Sequence, residues 1–115
     1  MSFSDEAARV ISALGLDGSV DTVVGVDHVQ NPKPAPDAFV LAMDRLEVSP
    51  EQTLIVEDSP AGARAAAASG ARWLCVATAF SRQALENATD LDQRWIVKDP
   101  ARLDEFVAAR TGQPA

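Results

Sequence analysis

Two short stretches of the chain carry residue types that could do chemistry. Glu57 and Asp58 stand side by side after the apolar run Thr53-Leu54-Ile55-Val56 and before Ser59-Pro60-Ala61-Gly62. One or two carboxylates, with room left for water and a substrate phosphate, are the hard oxygen donors that Mg2+ takes. A plainer account makes Asp58 or Ser59 the cap of the next helix and leaves Glu57 in water. Lys33 lies in Asn31-Pro32-Lys33-Pro34-Ala35-Pro36. Prolines fix their own φ and restrict the residue before them, which places the lysine stem. A fixed ammonium could neutralise phosphate charge; the plainer account is an exposed lysine in a turn.

The other reactive types point nowhere as clearly. His28 is the single histidine, and no Ser/His/Asp arrangement accompanies it. Cys75 lies mid-strand among apolar neighbours, where a buried, inert thiol is expected. As the single cysteine it forms no internal disulfide and no cysteine-based zinc cage, and cytoplasm is the natural compartment. Trp73 and Trp95 read as core or edge packing. A formal charge of −7 argues against nucleic-acid and anionic-membrane partners, which call for a basic face.

The elements that must position Lys33 and the acid pair follow from periodicity. At 115 residues and 47% hydrophobic composition the chain is one globular domain with enough length for a core. A helix is expected from Ser4, as N-cap, to Leu14, with Ala7, Val10, Ile11 and Leu14 on one face and Gly15 as its stop. Thr22 to Val26 reads as a short buried strand. The proline loop leads into a helix with Phe39, Val40, Met43 and Leu46 on one face. Thr53 to Glu57 is a second strand. Ser59-Pro60 opens an alanine-rich helix that stops at Gly70. Trp73 to Ala77 is a third strand, followed by a short helix from Ser81 to Ala88. Trp95 to Val97 is a fourth, and Asp99-Pro100 opens a last helix with Leu103, Phe106 and Val107 inward. Apolar strands alternating with amphipathic helices predict an α/β fold with a parallel sheet covered on both faces. Ligands in such folds bind at the carboxyl ends of strands, where Glu57 and Asp58 stand.

Lys33-Pro34-Ala35-Pro36-Asp37-Ala38-Phe39 followed by Val56-Glu57-Asp58-Ser59-Pro60-Ala61-Gly62 closely resembles the haloacid dehalogenase-like (HAD) hydrolase superfamily. The best match is the branch containing beta-phosphoglucomutase and phosphoglycolate phosphatase-like enzymes. Leu14-Gly15-Leu16, Val23-Val24-Gly25 and the run from Ala67 to Gly70 agree with it. The resemblance implies a Rossmann-like core and Mg2+-dependent phosphoryl transfer on a small phosphorylated metabolite, through an aspartyl-phosphate formed by a nucleophilic aspartate. It implies Lys33 as the catalytic lysine that screens phosphate oxygens, and Asp58 with Glu57 as metal ligands. It also places Ser2 or Ser4 near the phosphate-binding hydroxyl of the family's second motif; as a local signal, Ser4 is equally an N-cap.

The family's first motif, a strand ending in Asp-x-Asp-Gly-Thr, does not occur in these residues. Asp90-Leu91-Asp92 has neither an apolar strand before it nor a glycine after it. The chain therefore reads as a carboxyl-terminal portion of the fold, with the first strands and the helical cap missing and little activity of its own. The nucleophile strand is central in the family, so its loss leaves unpaired inner edges that invite association. Three outcomes are open: the Val23 strand closes against the Val56 strand, another chain (a second copy or a complementing amino-terminal half) fills the gap, or the sheet stays incomplete. The rival to a hydrolase is a non-catalytic α/β module that assembles through those edges. A response-regulator-type phosphoacceptor fits less well, since only Glu57-Asp58 ends a strand as an acceptor pair would.

Overall fold

A computed structural model describes residues 2–112. Five helices, α1 (Ser4–Ala13), α2 (Asp37–Leu46), α3 (Pro60–Ser69), α4 (Arg82–Glu86) and α5 (Leu103–Thr111), accompany three strands, β1 (Leu54–Glu57), β2 (Arg72–Val76) and β3 (Ile96–Val97). The strands form one parallel sheet in the order β1-β2-β3. Ile55 is opposite Trp73, Glu57 opposite Cys75 and Cys75 opposite Ile96. The fold is the expected α/β arrangement of a parallel sheet flanked by helices.

The core grows from the alanine-rich helix. Ala63, Ala65 and Ala66 are fully buried, and side chains this small let α3 lie close against β1 and β2, both of which it contacts. Ser59 caps α3 by accepting the Gly62 N–H at 3.1 Å, Pro60 occupies the first turn, and Gly70 ends it at φ 84°. On β2, alternate residues Trp73, Cys75 and Ala77 join Ile55, Met43, Leu85 and Ile96 in the main cluster. Leu74 and Val97 point the other way under the strand pleat and are also fully buried. Both faces are therefore covered at β2 and β3. At β1 they are not: Val56, in register with Leu74, is 49% exposed.

Three expectations need correction. Thr22 to Val26 is not a strand. Residues 20–25 run without regular structure, and Val26–His28 forms a 3-10 turn. A lone extended segment has no ladder to join, and its polar groups pair elsewhere. The Val26 N–H donates to the Ser2 carbonyl at 2.8 Å, and Arg45 donates to the Val23 carbonyl at 2.9 Å. The Val23 segment thus does not close against β1, and β1 pairs on one side alone among the described residues. Second, Ser4 is not the N-cap of α1. Phe3 holds that position without a side-chain cap bond, and the capping carboxylate comes from Asp27, which accepts the Ser4 N–H at 2.8 Å. Third, the apolar stripe of α1 is not a buried face: Val10 is 59% and Leu14 66% exposed, and no residue of α1 is fully buried. Smaller shifts also occur. Trp95 lies in the turn before β3 rather than in the strand, and on α2 the buried residues are Ala38 and Met43, with Val40 and Leu46 outward.

Asp27 is what ties α1 to the rest. Its second oxygen accepts the Ser4 hydroxyl at 2.6 Å. A Cβ on Gly25 would overlap the Ser4 backbone nitrogen, so glycine permits the close approach. The Ser4 hydroxyl, and then the Ser4 N–H, hold the Asp27 carboxyl below the usual carboxylate range. A carboxyl with a lowered folded-state pKa supports the fold above its unfolded pKa and loses that support as pH falls through the folded value. Asp27→Asn is accordingly expected to speed amide exchange across α1 while leaving β2 unchanged. Acidifying the unsubstituted protein below the normal aspartate range has the same effect, and hydrogen-exchange NMR reads both.

Candidate active site

The loop before α2 and the end of β1 meet at one point. Lys33 Nζ donates to Glu57 Oε1, an ion pair spanning 24 residues of sequence. The Lys33 side chain is 27% exposed and that of Glu57 10%. The ammonium also lies 5.2 Å from the centre of the Phe39 ring, whose π face favours a cation. Glu57 is there because β1 delivers it to the carboxyl end of the sheet, and because Gly62 leaves space. A Cβ on Gly62 would overlap the Glu57 carboxylate. The acid therefore rests on the first turn of α3, whose N-terminal dipole favours negative charge. Its other oxygen, Oε2, accepts the Asp58 N–H at 3.2 Å.

Asp58, the next residue, is exposed and does not cap α3; Ser59 does. Asp58 lines a cleft together with Ser59, Pro60 and residues 78–81. Burial, then the charges of Glu57 and Asp58, push the Cys75 thiol up to about 12, so it is neutral and unreactive as expected. Ser4 spends its hydroxyl proton on Asp27, and Ser2 gives its carbonyl to Val26. Both serines are thus engaged with the turn at residues 25–28. His28 is part of the same turn: its Nδ1 accepts the Gly25 N–H at 3.1 Å, which leaves the ring proton on Nε2 when the imidazole is neutral.

Glu57 and Asp58 offer hard carboxylate oxygens on adjacent residues, Asp58 from an exposed position, and Mg2+ commonly takes one or two carboxylates and completes its shell with water and phosphate oxygen. The pair fits that role. It does not amount to a full protein cage, since among the described residues no group of three or more His, Cys, Asp or Glu is placed to hold a metal.

Lys33, Glu57 and Asp58, the candidates in the sequence, lie together here, whereas the residues that hold them carry little local signal. Gly62 was visible only as part of a motif, and its value is the space it leaves. Phe39 was assigned to a helix face, whereas its ring also meets the ammonium. Asp27 carried no signal, because its partner Ser4 is 23 residues away.

The profile of the haloacid dehalogenase-like hydrolases matches residues 1–70, and the chain belongs to that family. Over 64 residues it is 44% identical to the fructose-1-phosphate phosphatase YqaB of Escherichia coli, a match covering 56% of this chain and 34% of that protein. Over 65 residues it is 38% identical to a phosphorylated carbohydrates phosphatase of Thermotoga maritima, covering 56% of this chain and 30% of that one. A Thermotoga maritima structure assigned as a beta-phosphoglucomutase superposes on 94% of this chain and 49% of its own, with a TM-score of 0.73 and 26% identity. The matches thus span about a third of the curated relatives and about half of the solved structure.

Gly62→Ala tests the seating of Glu57. Overpacking here is expected to cost about 1–3 kcal/mol and to separate Lys33 from Glu57. Chemical denaturation gives the energy, and the Lys33 Nζ resonance reports the separation. A variant as stable as the parent with an unchanged Lys33 signal contradicts the account. Native Cys75 is also expected to resist alkylation until the protein is unfolded.

Proposed function

We propose that this chain provides the phosphate-screening and metal-holding part of a Mg2+-dependent phosphoryl-transfer hydrolase, a phosphatase or phosphomutase acting on a small phosphorylated metabolite. The observation that supports it most is the meeting of Lys33 with Glu57 beside the exposed Asp58 at the carboxyl end of β1. Two of the relatives are named as phosphatases of a sugar phosphate or of phosphorylated carbohydrates, which favours a phosphorylated carbohydrate or similarly small metabolite. A single, buried, neutral cysteine suits a cytoplasmic setting.

In this reading Asp58 is the leading metal ligand and Glu57 the second, and the bound Mg2+ supplies positive charge for the phosphate oxygens. Lys33 contributes a positioned ammonium to the same oxygens. Glu57 holds that ammonium in place, and the first turn of α3 holds Glu57. Phosphoryl transfer depends on such positioning and charge more than on covalent chemistry by the protein. Ser4 is assigned to holding α1 through Asp27 rather than to donating to phosphate, because its one hydroxyl proton is already given; Ser2 remains the candidate for that donor. The reading leaves the nucleophile unassigned, since no Asp-x-Asp-Gly-Thr stretch occurs in the sequence.

A second reading is favoured by one observation. The outer edge of β1 is unpaired among the described residues and Val56 beside it is half exposed. Such an edge recruits another strand, from a second copy or from a complementing amino-terminal half.

The two readings separate in solution. The purified 115-residue chain is expected to show negligible Mg2+-dependent hydrolysis of p-nitrophenyl phosphate by itself, and to gain activity when mixed with an amino-terminal half carrying Asp-x-Asp-Gly-Thr. Robust turnover by the chain alone overturns the inactivity. A stable, inactive homodimer that ignores the added half supports the assembly module instead.

A further inference from the structure

At the amino ends of the strands, away from Glu57 and Asp58, three arginines come together near one tryptophan. Arg72 is the first residue of β2, and Trp95 lies in the turn that leads into β3. The Arg110 guanidinium, from the last turn of α5, lies 3.8 Å from the centre of the Trp95 ring. The Arg94 guanidinium lies 5.3 Å from the same ring. Arg72 is in register with Leu54, and β1 then runs on to Glu57. The length of that strand, about 10 Å, separates the cluster from the acid pair.

The three cations are not equally committed. Arg94 is clamped to Asp92, its Nε donating at 3.1 Å and its Nη2 at 2.7 Å. Arg110 is held without a carboxylate: it lies over Trp95, a cation–π contact, and its Nε donates to the Trp73 carbonyl at 3.3 Å. Trp73 follows Arg72 in the chain, so this bond brings Arg110 alongside Arg72. Among the described residues, neither Nη of Arg110 and no side-chain nitrogen of Arg72 has a hydrogen-bond or ion-pair partner. Burial, then the charge of Arg72, push the partly buried Arg110 guanidinium below its ordinary range; Asp92 opposes this and Arg94 adds to it. A chain with a formal charge of −7 repels anions at long range. Cations gathered this closely, two of them without a carboxylate of their own, reverse that locally.

We propose that Arg72 and Arg110 form a second ligand site, for a small oxyanion (a phosphate or a carboxylate), with Trp95 holding Arg110 in place for it. A guanidinium is planar, so Arg110 keeps its two Nη groups for an oxyanion while the ring and the Trp73 carbonyl fix the rest of it. Arg72, exposed at the start of β2, supplies the second charge. The site is separate from Lys33 and the acid pair and does not depend on the function proposed for them.

The test is an NMR titration of the full chain in metal-free buffer with sodium phosphate, with sodium acetate and, at matched ionic strength, with sodium chloride. Phosphate or acetate is expected to give saturable shifts at the Arg110 Nε–H, the Trp95 indole N–H and the Arg72 amide. Whichever saturates at the lower concentration is the class the site takes. Arg72→Gln, at an exposed strand end, is expected to weaken that binding about tenfold, the worth of one hydrogen bond to a charged group. Arg110→Lys keeps the charge, loses the planar fork and is expected to weaken it as well. The absence of saturable shifts at these three groups, equal shifts in chloride, or binding that neither variant weakens overturns the site. Shifts confined to Lys33, Glu57 and Asp58 overturn it too, while the proposed function stands.

Discussion

Glu57 reaches the end of β1 with a carboxylate that has little access to water, and the surrounding residues are arranged to make that tolerable. A charge in this position is costly unless it is paired and hydrogen-bonded. Lys33 supplies the pair and the Asp58 N–H the bond. The first turn of α3 adds its dipole, and Gly62 supplies the room. The Lys33 ammonium is held by Glu57 and lies over the Phe39 ring, so the lysine and the acid pair form one unit rather than two neighbouring features.

That unit is only as firm as the sheet and helix beneath it. The alanines of α3 bring the helix down onto β1 and β2 and bury Ala63, Ala65 and Ala66 completely. Leu74, Leu85 and Val97 are likewise fully buried, each worth roughly 2 kcal/mol of apolar transfer. The stability therefore lies on the β2–β3 side, and the candidate site lies at the end of β1, which pairs on one side alone among the described residues. The segment before α2 is attached more lightly, through Asp27 to α1, through Arg45 to Val23, and through Lys33 to Glu57. A strand placed against β1 would cover Val56 and give the Val23 segment something to pack on, which links the open edge to the completeness of the site.

Much of this was legible in the residues. The strands at Leu54–Glu57 and Arg72–Val76 are short apolar runs bounded by turn signals, and helix α3 announces itself with Ser59-Pro60 and closes with Gly70. Proline restriction and paired carboxylates are local properties that make Lys33, Glu57 and Asp58 candidates, and their assignment to one site rests on the family resemblance of the two motifs. What failed was anything set by distant partners. Thr22-Val23-Val24 has strand composition, yet a strand exists only with a neighbour to bond, and none is placed beside it. Ser4 has cap chemistry, yet Asp27 arrives from across the fold and takes its N–H and its hydroxyl. The apolar stripe of α1 predicts burial, but burial needs a surface to face.

In the function proposed above, Lys33, Glu57 and Asp58 form one site for a divalent cation and a phosphate. Paramagnetic broadening by Mn2+, followed residue by residue in the NMR spectrum and competed with Mg2+, tests it most directly. The account predicts that substoichiometric Mn2+ broadens the amides of Glu57, Asp58 and Ser59 first, that Mg2+ reverses the effect, and that Asp58→Asn abolishes it. Broadening that begins at other carboxylates of this acidic chain, such as Asp17 and Asp21, and leaves residues 57–59 sharp would contradict it.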